Sequence, residues 1–317
     1  MYRQGDTRPM LWSDRLLLWT LTVLLVFTPL AFGTVEVWSI ALAELLVLFM
    51  GALWIARMIR DGRIQFERTS FTILILSFLA LMLFQMLPLP LSAIKLLSPA
   101  AYSVYSVATS ALNLQIGWRT ISLDPFATRE EFLKVLTYAM LFWILLTHFR
   151  ERKQIERVVV TIISIGFFLA VFTIIQKYSL NGKIYWIRET AQGGEPFGPY
   201  VNRNHFAGYM EIPLPLTIGY ILAQSPLRTD RLGIRERLLL WTSQHTSQSV
   251  LLLFAAIFMG AALLLTGSRG GLVCFAGSMV FFVIMEVIKR ASRSRVIRLA
   301  LACCGLVLIA AVWISGK

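Results

Sequence analysis

Long apolar runs, each about the length of one membrane crossing, recur along nearly the whole chain, with clusters of Lys and Arg in alternate gaps between them. A helix needs about 17–25 mostly apolar residues to cross the hydrocarbon core. By that measure the sequence predicts spans at 15–33, 36–56, 70–87, 132–148, 158–177, 205–223, 249–266, 271–288 and 299–315. Backbone N–H and C=O groups in lipid must be satisfied within the spanning segment, so such runs fold as helices. The fold class is therefore an all-α integral membrane protein with about nine transmembrane helices. Of the 317 residues, 57% are hydrophobic and 15% charged, far from the balance of a soluble domain. No intervening segment is expected to carry the function outside the bilayer.

A net charge of +13 would suggest a nucleic-acid partner in a soluble protein. Here no basic cluster sits on an independently foldable domain, so nucleic acid is excluded and the clusters read as insertion signals. Starting with Arg3, Arg8 and Arg15, one side of the predicted topology collects twenty Lys and Arg, and the other side nine. The positive-inside bias then places the amino terminus in the cytoplasm. The predicted organisation is a cytoplasmic segment 1–14, helices one to three over 15–87, an outer loop over 88–131, and helices four to nine over 132–317.

With that orientation the two longest loops, 88–131 and 178–204, face away from the cytoplasm, where insertion does not account for their basic residues. The first opens with Pro88, Pro90 and Pro99 and runs through Tyr102 and Tyr105 to Leu112, a pattern for a short interfacial helix. The second carries Gly193, Gly194, Pro196, Gly198 and Pro199 and is expected to be ordered but irregular. Cys274, Cys303 and Cys304 lie in apolar runs without metal-ligand spacing. The first span has no clear cleavage site after it and is expected to be retained.

Two short motifs stand at the outer start of inward-running spans: Asn202-Arg203-Asn204-His205 and Gly267-Ser268-Arg269-Gly270-Gly271. Asn202 or Asn204, and Ser268, have the side chains of helix N-caps. A helix start presents free N–H groups and the positive dipole end, and an adjacent arginine makes it an anion site. Two such starts on one face suit a pyrophosphate at membrane depth, with Arg203, Arg269, Asn202, Asn204, Ser268 and Gly270 around it. The competing reading is a tight turn with Arg269 snorkelling to the headgroups and an exposed cap at Asn202. His205 taken alone reads as an interfacial or packing histidine. Glu44 lies near mid-span, and Glu286 near a cytoplasmic end. Glu211 precedes Pro213 and Pro215, which should kink its helix, and it is expected to pair with Arg203 or Arg269. No HExxH, GxSxG, P-loop or paired-Cys motif occurs, so no metal, cofactor or serine nucleophile is expected.

Three stretches together resemble the O-antigen ligase and polymerase superfamily of polytopic glycan transferases. Gly198 to Tyr209, GPYVNRNHFAGY, is similar to the family's Asn-rich start of a span. Leu265 to Gly271, LTGSRGG, resembles its Ser-Arg-Gly turn, and Ile121 to Arg129, ISLDPFATR, is similar to a common segment. The resemblance implies a GT-C-like multi-helix bundle in the bacterial inner membrane, with its site facing the periplasm. It implies transfer of a glycan from an undecaprenyl-pyrophosphate carrier to a glycan, lipid or protein acceptor, without a metal. Arg203 and Arg269 match the arginines that hold the leaving pyrophosphate. The family's general base is implied to be a histidine in a large periplasmic loop beyond the matched part, so the sequence is read either as a fragment ending at Lys317 or as one whose second half is supplied separately, and His205 is the one candidate for a substitute base. A transporter or flippase of a lipid-linked glycan or small anion is the rival, although no internal repeat relates the two halves. A purely structural membrane subunit is third.

Overall fold

Apolar runs become helices, and the polar residues at their flanks set where each one starts. The computed structural model describes residues 12–63, 66, 67, 69–112, 117–179, 182–189, 196–224 and 246–290, so the expected span at 299–315 lies outside the described residues. The chain divides into two compact units: Met1–Thr20 with Ala41–Arg152, and Leu21–Ile40 with Lys153–Lys317.

The first unit holds the start of α1 (Trp12–Leu30), most of α2 (Val37–Asp61), α3 (Ser70–Met86), α4 (Leu91–Leu97), α5 (Pro99–Leu112) and α6 (Pro125–His148). Thr69 opens α3 through a reciprocal capping box with Thr72. Asp124 opens α6 by accepting from the Ala127 N–H at 3.0 Å, with Pro125 in the first turn where its missing N–H costs nothing. The proline-rich stretch after α3 forms β1 (Leu89–Pro90), which pairs antiparallel with β2 (Trp118–Arg119), Leu89 opposite Arg119. Tyr105 on α5 donates to Thr120 O and Ser122 O and ties the helix to the segment leading into α6. Gly51 lets α2 approach α6, since a Cβ there would meet the Met140 sulfur at 2.6 Å.

The second unit holds the rest of α1 and the α1–α2 turn, α7 (Arg152–Tyr178), α8 (Arg203–Met210), α9 (Pro213–Gln224), α10 (Thr246–Leu265) and α11 (Arg269–Arg290). Its core gathers Leu169 and Ala170 of α7, Phe206 and Met210 of α8, and Met259 and Ala262 of α10, all fully buried. Sequence periodicity predicts one kinked span at 205–223. The structure breaks it at Glu211 and Ile212, and Pro213 starts a new helix. Proline cannot donate to the preceding turn, so the ladder ends there, and the Pro213 ring packs where Gly166 of α7 leaves room.

Six helical segments among the described residues are long and apolar enough to cross a membrane: α1, α2, α6, α7, α8 with α9, and α10. Six such helices make this a multi-pass membrane protein. The other two predicted spans within the described residues are the shorter apolar stretches of α3 and α11. The 17 residues of α3 cover about 26 Å at 1.5 Å per residue, slightly under the thickness of the hydrocarbon core.

Candidate anion-binding site

Both predicted helix starts are capped, and the second unit packs them together. The Asn202 side chain accepts from the Asn204 N–H at 2.8 Å, and the Ser268 Oγ accepts from the Gly271 N–H at 3.2 Å. Four residues after Arg203, Ala207 lies against Gly271, two residues after Arg269. A Cβ on Gly271 would sit 2.6 Å from the Ala207 Cβ. Only glycine permits this approach, which brings the amino-terminal turns of α8 and α11 side by side. The caps and the first-turn hydrogen bonds take up most of their N–H groups, so what the two starts bring near each other is chiefly their positive dipole ends.

Beside these turns is a cavity of about 310 Å³ between the end of α7, the start of α8, the end of α10 and the loop pieces around Gly182 and Phe197. Lys177, Lys183 and Arg203 line it, with Gln176 and Thr266. The Lys177 ammonium donates to Leu265 O at 2.5 Å and lies 5.1 Å from the centre of the Phe197 ring. Both contacts hold the charge at the wall of the cavity. Lys183 pairs with exposed Glu189 at 2.9 Å, and the hydrogen bond and charge of Lys183 hold that carboxyl below the usual range. Gln176 donates from Nε2 to Lys183 O at 2.6 Å. Gly198 takes φ +61, and a Cβ there would fall 2.2 Å from the Thr173 hydroxyl oxygen. The turn at Gly198 can therefore lie on α7 only as glycine.

The chain after Lys183 forms a strained hairpin. Ile184 and Arg188 bridge each other while Tyr185 and Trp186 between them adopt left-handed backbone, φ 53 and 62. Such residues cost about 1–3 kcal/mol each and persist only where their surroundings over-determine them. Here the Tyr185 hydroxyl donates to Leu30 O, Arg188 pairs with Glu36 at 2.6 Å, and the Arg188 guanidinium lies 4.7 Å over the Phe32 ring. The partner segment is itself a left-handed turn of Phe32, Gly33 and Thr34, where the sequence predicts that the first span continues to residue 33. Burial pushes the Tyr185 phenol up to about 12, so it remains a donor at neutral pH. Burial also raises the Tyr200 phenol well above its ordinary value.

Of the residues singled out by sequence, Arg203 is half-buried at the cavity, whereas Asn202, Asn204, His205, Arg269 and Gly270 are exposed around the two turns. Ser268 is buried. No ion pair joins Glu211 to Arg203 or Arg269 among the described residues. Glu211 sits instead in the break between α8 and α9, its N–H directed to the carbonyls of Ala207 and Tyr209. Glu44 lies half-buried on α2, in the other unit. Sequence reasoning missed Gln176 and gave Lys177 and Lys183 no role, although both belong to the outer-side basic residues that orientation leaves unexplained.

The fold and the site thus define a multi-pass helical membrane protein with a basic cavity beside two capped helix starts. Compared with protein-family models, curated proteins and solved structures, the chain matches none.

Proposed function

We propose that the chain is a membrane glycan transferase of the O-antigen ligase and polymerase type. It would take a glycan from an undecaprenyl-pyrophosphate carrier and pass it to an acceptor hydroxyl at the periplasmic face of the bacterial inner membrane, with the amino terminus in the cytoplasm. The observation that carries this reading is the pairing of the α8 and α11 starts across Ala207 and Gly271, next to a cavity lined by Lys177, Lys183 and Arg203. That arrangement would set cations and two positive helix-dipole ends beside two neighbouring phosphates.

In the reaction the acceptor oxygen bonds to the anomeric carbon while the bond from that carbon to the pyrophosphate oxygen breaks. Negative charge builds on the departing pyrophosphate, and groups already aimed at it stabilise it most in the transition state. Arg203 and Arg269 take that role at the helix starts. The acceptor proton needs a base, and His205, exposed on the first turn of α8, is the candidate on this chain.

The test is glycan transfer by the complete native protein carrying Arg269→Ala. Transfer should be abolished while folded protein in the membrane stays within about twofold, because truncating an exposed side chain costs little stability. Normal transfer would sink the assignment. Arg203→Lys should also fail, since Lys offers a point charge where the guanidinium offers a fork. A transport reading draws on the break between α8 and α9, a feature of helices that line translocation paths. Movement of a lipid-linked glycan across vesicles without any transfer would favour it.

A further inference from the structure

Of the two lysines that line the cavity, only Lys183 is paired with an acid among the described residues. Lys177 is held by neutral groups, the Leu265 carbonyl and the Phe197 ring. The pairing of Lys183 follows from the register of its hairpin. Ile184 and Arg188 exchange both backbone hydrogen bonds, at 2.8 and 2.9 Å. The residues just outside them, Lys183 and Glu189, therefore stand opposite each other on one face, where an antiparallel pair brings side chains closest. Their charged ends meet at 2.9 Å, with the side chains 39% and 79% exposed. The backbone of Lys183 is fixed, because its carbonyl accepts from Gln176 Nε2 at 2.6 Å and from the Trp186 N–H at 3.3 Å. Its ammonium stands on a flexible four-carbon stem, and an exposed ion pair of this kind is weak. Lys183 can thus turn its charge from Glu189 to an anion in the cavity while the hairpin stays in place.

We infer that Glu189 is a built-in competitor for Lys183: it holds the ammonium while the cavity is empty, yields it to pyrophosphate on binding, and takes it back as pyrophosphate leaves. This rests on the glycan-donor reading above. A phosphate carries at least the charge of a carboxylate and more acceptor oxygens, so the exchange is favourable, but each binding event first gives up the contact with Glu189. After transfer the carrier still bears its pyrophosphate, and cations with no competitor would retain that product. Glu189 lowers the affinity and so speeds release. It is a positioning residue that acts through Lys183 and touches neither the sugar nor the bond being broken.

The experiment is calorimetric binding of inorganic pyrophosphate to the full chain in detergent micelles, at about 0.15 M salt, where distant charges are largely screened. Glu189→Gln, which keeps the shape and removes the charge, should bind pyrophosphate about two- to fivefold more tightly than the native chain, the size of one exposed ion pair. Lys183→Met should weaken binding about tenfold, the size of one hydrogen bond to a charged group. In that Lys183→Met background, Glu189→Gln should lose most of its effect. A gain that persists undiminished there makes Glu189 a repelling charge that acts without Lys183, and overturns the inference. Equal or weaker binding by the Glu189→Gln protein overturns it as well, as does native affinity in the Lys183→Met protein. Pyrophosphate binding by the native chain alongside any of these results leaves the glycan-donor reading standing. Failure of the native chain and of every variant to bind overturns both.

Discussion

Gly198 carries two demands at once: a left-handed backbone and a Cα pressed against Thr173. Gly198→Ala therefore meets strain and overlap together, and should lower the stability of the second unit by about 1–3 kcal/mol, read as an earlier midpoint on heating in detergent. Gly182, also left-handed but with open space around it, should suffer from the same substitution only through its backbone. Tyr185 gives a residue-scale prediction in pH. Its phenol is raised from the ordinary value of 10.0 to about 12 by burial. Stability from this group is fully present below the unfolded value and is lost as pH rises through the folded one, a window of about 10 to 12. The tyrosinate absorbance difference between the native protein and Tyr185→Phe should appear only at the top of that window. A transition at ordinary phenol pH would mean that the hydroxyl is not buried against Leu30.

The paired helix starts make a sharper contrast possible between neighbouring glycines. A side chain on Gly271 collides with Ala207, whereas one on Gly270 meets no atom within 4 Å. Gly271→Val should force α8 and α11 apart, costing about 1–3 kcal/mol of overpacking and most of the transfer activity. Gly270→Ala should keep both. Transfer by the Gly271→Val protein at the native rate would show that the two starts do not act together. At this scale much of the architecture is legible in sequence, because a helix in lipid needs only length, apolarity and a cap. Asn202 and Ser268 are recognisable caps for that reason, whereas the Asp124 cap is seen only in the structure. The α1–α2 turn is not legible, since Ala31 and Phe32 are as apolar as the span before them and what turns the chain is contact with distant Tyr185, Tyr200 and Arg188. Gln176 and Lys177 are hidden by their place at the end of a predicted span, where sequence does not say which way a polar side chain faces. The break at Glu211 was half-visible: Pro213 signals a disturbance, but only packing against Gly166 decides that it becomes a new helix.

For the whole molecule the testable property is sidedness. On the proposed orientation Gly62, after α2, would lie in the cytoplasm and Gly182, in the cavity wall, outside. In a background with Cys274, Cys303 and Cys304 replaced by Ser, a cysteine at Gly182 should react with an impermeant thiol reagent in intact spheroplasts. One at Gly62 should react only after lysis. The reverse pattern would turn the cavity toward the cytoplasm and remove a periplasmic transfer reaction.

The contacts that fasten the hairpin at Tyr185 to the turn after α1 join residues 155 positions apart. A ribosome adding roughly 5–20 residues each second therefore needs about 10–30 s after making Leu30 before the chain that completes the turn exists. During that interval Phe32, Gly33 and Thr34 have neither Tyr185, Arg188 nor Tyr200 to hold them. The first helical hairpin is thus expected to enter the membrane with a provisional turn, and the turn takes its final shape only when a much later part of the same chain arrives to close over it.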